Sequence, residues 1–312
     1  MRRDAPAIAV LLLLALAPFA GFGEGHELTL LARGMIFGIG AVSLALLVGG
    51  AGLASLGHAA SLGFGAYAVV VLDAAGITSL AVVLPAAMLA AAGFSLATGA
   101  IAIRTSGVHF IMITLAFGQM AYFTAASLSA YGGDDGYTLY GRTEVWGSRL
   151  LENRLAFHYL CLGALAFAWG LCRLLLASRF GRVLRASREN ELRVQAVGFS
   201  PYPYRLLAYV IAGALGGLAG LLLANSAEFI APTYLSWQRS GELLFMVILG
   251  GLGGLHGAMI GALVFVGLED WLPQLLGEHW RLVFGPLLIL SVLFLRGGLA
   301  GLPATLGGLR RG

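Results

Sequence analysis

The sequence predicts an all-α polytopic membrane protein with about eight to ten transmembrane helices, glycine-broken in places. Three observations predict it. Hydrophobic residues make up 59% of the 312-residue chain and charged residues only 11%, and the mean hydropathy is +0.89. A soluble domain carries about 25% charge, so a surface this poor in charge would not keep a globule in water. The apolar residues come in blocks near the length of about 20 residues that crosses a bilayer. The 46 glycines read, in such blocks, as close helix approach and deliberate breaks.

Block 7–23 follows Arg2 and Arg3 and has the outline of a secretory signal. Its best small-x-small site, Ala15-Leu16-Ala17, runs directly into Pro18, a poor context for cleavage. It reads as a first membrane helix with a cytoplasmic amino terminus. Further apolar blocks cover 28–48, 59–75, 80–103, 108–128 and 155–177. After a polar interval come 206–229, a glycine-broken block at 243–268, and 280–295. Cys161 and Cys172 share one block and sit roughly 16 Å apart along a helix, too far for a disulfide. They read as packing or lipid-facing residues.

Two polar intervals carry opposite charge. Interval 178–205 holds Arg179, Arg182, Arg185, Arg188, Arg193 and Arg205 against Glu189 and Glu191, a net +4 that equals the charge of the whole chain. The positive-inside rule puts it in the cytoplasm. Interval 129–154 holds Arg142, Arg149 and Arg154 against Asp134, Asp135, Glu144 and Glu152, a net −1, and belongs outside, one crossing away. Arg296, Arg310 and Arg311 put the carboxyl terminus in the cytoplasm as well. An even number of crossings then separates interval 178–205 from the end. Block 243–268 therefore enters and returns on one side or counts as two segments, with Gly250, Gly251, Gly253 and Gly254 supplying the break.

An internal echo accompanies that break. VGGAGLASLGHAA (48–60) and LGGLGGLHGA (249–258) are both glycine-rich interruptions with a histidine, His58 or His256, close after the turn. Transporters built from two repeats place discontinuous helices at related positions around the substrate path. Two glycine-rich apolar segments of independent origin would look the same, and the order alone does not say whether such repeats are inverted.

Segment 178–200, SRFGRVLRASRENELRVQAVGFS, has the marks of a short surface helix. Glu189 and Arg193 stand i,i+4, and Val183, Leu184, Leu192 and Val197 supply a modest apolar side. Gly198 fits a helix stop, and Pro201 and Pro203 prevent continuation. A charged helix between two spans needs a partner or the lipid headgroups.

The run FGRVLRASRENELRVQAVG (180–198) resembles the cytoplasmic coupling segment of ABC-importer permeases of the branched-chain amino-acid type, the LivM-like subunits. GLASLGHAASLGFGAY (52–67), SGVHFIMITLAFGQ (106–119), GGDDG (132–136) and MVILGGLGGLHGAMIGA (246–262) follow in the family's order. Each run is weak alone; the set spans nearly the whole chain and is specific. The resemblance implies one permease domain over residues 1–312, in a bacterial-type inner membrane. It implies a second, related permease, two ATPase subunits and an extracytoplasmic substrate-binding protein as partners, besides membrane lipid. Interval 129–154 becomes an external loop, and 178–205 the coupling segment that fits a cleft on the ATPase. Within it, Gly181 permits a tight entry, and Arg182, Arg185 and Arg188 contact acidic or carbonyl groups. Glu189, Asn190 and Glu191 form the force-transmitting loop, followed by Ala196 and Gly198.

The chain is not expected to act as an enzyme. It has no G-x-x-x-x-G-K-[ST] and no lysine at all, so it lacks the phosphate-binding lysine of a P-loop. ATP and Mg²⁺ are expected on the partner subunits, with no cofactor bound by this chain. The alternative is an ion-coupled carrier or channel for small solutes such as urea or amides. Ion-coupled carriers generally need acids near the membrane midplane, and Asp73, Glu228 and Glu242 fall toward block ends.

His58, next to Ser55 and Gly57 at a helix break, offers an imidazole and exposed backbone to a zwitterionic substrate, or a helix–helix hydrogen bond. Ser61, Thr114 and Gln119 are further candidates for the path, although Ser and Thr commonly satisfy their own helix carbonyls. The six histidines show no zinc spacing, so no metal site is expected. The pI near 9.3 reflects arginines gathered at one face of the membrane, so no nucleic-acid partner is expected.

Overall fold

The computed structural model describes residues 4–20, 25–145, 147–251, 254–294 and 298–301. Its helices are α1 (Ala5–Leu16), α2 (Gly25–Ala45), α3 (His58–Ala74), α4 (Leu80–Ala102), α5 (Val108–Ser127) and α6 (Arg154–Ala177). They continue with α7 (Arg179–Glu189), α8 (Glu191–Ala196), α9 (Pro201–Ala227), α10 (Trp237–Gly250), α11 (Leu255–Leu276) and α12 (Trp280–Phe294). A π-turn, Leu46–Ala51, extends α2. Among the described residues six helices are long and apolar enough to cross a membrane: α2 with its π-turn, α4, α5, α6, α9 and α11. The chain is an all-α, multi-spanning membrane protein, and α1 and α3 are shorter apolar helices beside the six.

Blocks 59–75, 80–103, 108–128, 155–177 and 280–295 become helices within a residue of their expected limits, whereas α9 starts five residues before block 206–229 and block 243–268 divides into α10 and α11. Asn153 caps α6 by accepting from the Leu155 amide, and Ser236 caps α10 through the Arg239 amide. Pro201 opens α9 at its first turn.

Depth in the bundle follows composition. α2 and α9 are apolar all round and lie at the centre, with 83% and 72% of their most apolar stretches buried, against 22–33% for α4, α5, α6 and α11. Glycine lets the centre close. A Cβ at Gly217 on α9 would lie 2.6 Å from the Ala87 carbonyl oxygen of α4, and Gly65 of α3 leaves no room for a Cβ against Gly217 itself. This is the small-residue packing by which membrane helices gain van der Waals contact without a hydrophobic drive.

The two ends of the bundle are fixed by cross-helix bonds. Asp4, at the start of α1, takes two hydrogen bonds from Arg173 near the end of α6, at 2.7 and 2.6 Å. Leu14, near the end of α1, accepts from His158 near the start of α6. The helices are therefore antiparallel, and α1 begins at the end of the bundle that carries α7. At the opposite end, β1 (Tyr137–Thr138) pairs antiparallel with β2 (Phe229–Ile230), joining the 129–154 loop to the turn after α9. Asn225 holds the same junction, accepting from the Thr143 amide at 2.7 Å and from its hydroxyl at 3.0 Å.

α10 and α11 resolve the broken block into two segments. α11 returns toward the start of α2, where Glu269 pairs with Arg33 at 3.1 Å and Asp270 meets His26 at 3.2 Å. The turn between α10 and α11 lies at the other end, where Gly251 and Gly254 share a small cavity with Gly49, Leu176 and Arg185. Gly250, Gly251 and Gly254 are thus part of a helix–turn–helix with its bend at the α7 end, while Gly253 lies outside the described residues. Gly298 packs on Gly250 and Gly251, returning the chain to that end. Arg296, Arg310 and Arg311 lie outside the described residues.

Candidate functional site

The segment joining α6 to α9 is a pair of short helices at one end of the bundle. Gly181 sits where the chain folds back after α6: an added Cβ would lie 2.5 Å from Leu176 Cα and 2.6 Å from the Leu175 carbonyl oxygen. Leu184 is fully buried, whereas Leu192 and Val197 are 77% and 71% exposed. The segment is two helices, and the chain turns at Glu189-Asn190-Glu191, where the family resemblance put a loop. α7 stops at Glu189, and Asn190, in extended backbone, starts α8 by accepting from the Arg193 amide at 2.9 Å. An Asx side chain competes for backbone donors, and here it wins over helix continuation. Glu189 and Arg193 consequently fall on different helices and form no ion pair among the described residues, while Glu191 pairs with Arg205 at 2.8 Å. α8 ends with Gly198 in the left-handed region, where the Phe199 amide closes back on the Val194 carbonyl.

The arginines of α7 divide into two groups. Arg185 donates to the Leu176 carbonyl at 2.9 Å, and Arg188 donates to the Gly49 carbonyl at 2.6 Å, both within this chain. Arg182 is exposed and lines, with Glu189, Asn190, Arg193, Val197 and Phe199, an outward groove of about 350 Å³ between α7 and α8. Ala196 is exposed at the end of α8. Val183 and Val194 line the same open groove between the guanidiniums of Arg182 and Arg193.

The break between α2 and α3 collects four of the six path candidates. Gly52 adopts the left-handed region that ends the π-turn, and residues 52–57 run without helix to α3. Ser55 is fully buried and accepts from the Gly57 amide at 3.2 Å. Gly57 lies against the Thr114 carbonyl of α5, with no room for a side chain. His58 is buried, its Nε2 2.8 Å from the Ser43 hydroxyl, which also lies 2.8 Å from the Gly40 carbonyl. A hydroxyl has one proton; donated to Gly40, it makes His58 Nε2–H the donor to Ser43 and leaves Nδ1 as acceptor. Ser61 instead faces α4, 3.1 Å from the Ser95 hydroxyl, and Thr114 donates to its own helix at Ile111. Gln119 lies farther along α5, and its Nε2 is buried with no partner among the described residues.

Sequence reasoning missed the residues that hold this break. Ser43 is a lone hydroxyl within block 28–48, and Ser240 accepts from the Ala59 amide at 2.9 Å, satisfying an orphan donor at the start of α3. For Ser43 the available signal was an isolated polar residue in an apolar block; Ser240 lies in the polar stretch before block 243–268 and does not stand out there. An apolar cleft of about 600 Å³ between α3, α4 and α5, floored by stacked Phe64 and Phe94, was not legible because its walls come from three helices.

A glycine-packed bundle of membrane-spanning helices, with an interrupted buried helix and an exposed helical pair between two spans, has the build of a polytopic permease. The comparisons identify which kind. The family described as "Branched-chain amino acid transport system / permease component" matches residues 28–292. The high-affinity branched-chain amino acid transport system permease protein LivM of Escherichia coli K12 is 29% identical over 325 aligned residues, covering 96% of this chain and 75% of that protein. LivH of the same strain, a permease protein of a high-affinity branched-chain amino acid transport system, is 33% identical over 40% of this chain and 41% of its own length. No solved structure matches. The chain belongs to the branched-chain amino acid transport permease family.

Proposed function

We propose that the chain is the permease subunit of an ATP-driven importer that moves leucine, isoleucine and valine, or close relatives, across a bacterial-type inner membrane. A second related permease, two ATPase subunits and an extracytoplasmic binding protein complete the system. The observation that carries this reading is the family match over 28–292 with the exposed α7–α8 pair inside it. Similarity to both LivM and LivH supports a paired permease. ATP and Mg²⁺ bind on the ATPases, and the chain itself holds no nucleotide.

In this reading α7–α8 faces the cytoplasm, as do both termini, and the groove around Arg182, Glu189 and Asn190 receives the ATPase. Closure of the paired ATPases on ATP displaces α7, and the bundle moves between inward-open and outward-open states. Ser55, Gly57 and His58, at the helix interruption, belong to the segment that gates the path. Selectivity resides largely in the binding protein, so the path needs only weak affinity for the cargo.

The test is uptake in proteoliposomes with ATP and Mg²⁺ on the ATPase side. Leucine, isoleucine and valine should accumulate only when permease pair, ATPases and binding protein are all present. Uptake that persists without ATPases and collapses with the proton gradient would establish the ion-coupled alternative instead.

A further inference from the structure

Arg188 stands apart from the other arginines of α7 because it ties that helix to the break from which α3 starts. Its Nη1 donates to the Gly49 carbonyl at 2.6 Å. Gly49 lies in the π-turn that ends α2, where the last carbonyls of a helix lack partners along the helix. The stem of Arg188 lies over Gly52: a Cβ there would be 2.8 Å from Arg188 Cγ. One turn earlier on α7, buried Leu184 packs on Gly50, where an added Cβ would lie 3.1 Å from its Cδ2. A charged hydrogen bond, the Arg188 stem and an apolar plug therefore join α7 to Gly49, Gly52 and Gly50 at the end of α2. The chain then runs directly from Gly52 through Ser55 to His58.

We infer that Arg188 is a positioning residue that passes displacement of α7 to the π-turn of α2, and thereby to the segment before α3, rather than a contact for the ATPase. π-turns are rare and recur at functional sites, and this one ends α2. A pull on the Gly49 carbonyl acts on that turn. The segment 52–57, which has no helix of its own to resist, follows. His58 then moves relative to Ser43, which stays on the body of α2. This inference rests on the reading of the chain as an ATP-driven permease.

The experiment compares R188Q, R188M, R188K and G52A with the unsubstituted chain in the complete reconstituted importer. Three quantities are read: assembled complex, ATP hydrolysis, and leucine taken up per ATP hydrolysed. R188Q should assemble and hydrolyse ATP within about twofold of the unsubstituted complex, while uptake per ATP falls about tenfold, a size typical of lost coupling. R188K, whose ammonium still donates to a carbonyl, should recover part of that loss. G52A presses on the Arg188 stem but also strains the left-handed backbone of Gly52, and should show the same split; R188M, which keeps the stem and loses the donor, carries the test alone if R188Q does not accumulate in the membrane. Uptake that falls only in proportion to complex assembled would make Arg188 a docking contact and overturn the inference, as would unchanged uptake per ATP in R188Q, R188M or G52A. Failure of the underlying reading is separate, since it shows as transport by the unsubstituted chain without ATPases.

Discussion

Gly65→Ala tests the glycine packing that positions α3. A Cβ at Gly65 would lie 2.6 Å from Gly217 Cα and 2.7 Å from its carbonyl carbon, all backbone atoms of the central helix α9. Reaching an ordinary contact of 3.4 Å requires the two helices to part by about 0.8 Å or more. Overpacking of this kind costs about 1–3 kcal/mol. Alanine returns about 1 kcal/mol of helix propensity, leaving a net loss of up to about 2 kcal/mol. His58 on the same helix bonds Ser43 of α2 at 2.8 Å, so a displaced α3 is expected to weaken that bond and function to fall with stability. The assay is thermal unfolding of the detergent-solubilised chain beside uptake in the complete system. Gly170→Ala on α6, where nothing lies within 4 Å of the added Cβ, is the control and should be neutral or stabilising by up to about 1 kcal/mol. A Gly65→Ala protein as stable and active as Gly170→Ala would refute the packing argument.

Three further outcomes follow from the site. Arg182→Glu with Arg193→Glu should weaken co-purification of the ATPases at least about tenfold, with normal membrane insertion, because both side chains border the outward groove. Asn225→Ala leaves the buried Thr143 amide without its acceptor and should destabilise by about 1–3 kcal/mol, seen as faster proteolysis of the 129–154 loop at unchanged sites. Ser240→Ala removes the acceptor for the Ala59 amide and should cost about 1 kcal/mol in thermal stability; an unchanged midpoint would mean that another group satisfies that amide.

Much of the fold was legible because bilayer thickness and glycine or proline punctuation act locally. Blocks 80–103, 108–128 and 155–177 became α4, α5 and α6 with shifts of a residue at most. The surface segment was legible as charged and helical, but its division at Asn190 depended on one side chain choosing a backbone amide over helix continuation. The glutamate–arginine pair assigned by spacing gave way to Glu191–Arg205, a contact across fourteen positions that no helical periodicity announces. The same holds for Arg33–Glu269, which joins helices far apart in sequence. At the α2–α3 break, Ser55, Gly57 and His58 stood out by composition. Ser43 and Ser240, which hold them, acquire meaning only once α2 and α10 are packed around α3.

An ATP-driven permease of this build requires the α7–α8 pair on the cytoplasmic side of the membrane. Cys161 and Cys172 are both fully buried, so a cysteine at the 77%-exposed Leu192 supplies a selective target for a membrane-impermeant maleimide. Leu192→Cys should be labelled in inverted membrane vesicles and protected in intact cells, with Tyr140→Cys, 97% exposed in the opposite loop, giving the reverse pattern. Labelling of Leu192→Cys in intact cells would put the helical pair out of reach of any cytoplasmic ATPase and contradict the account.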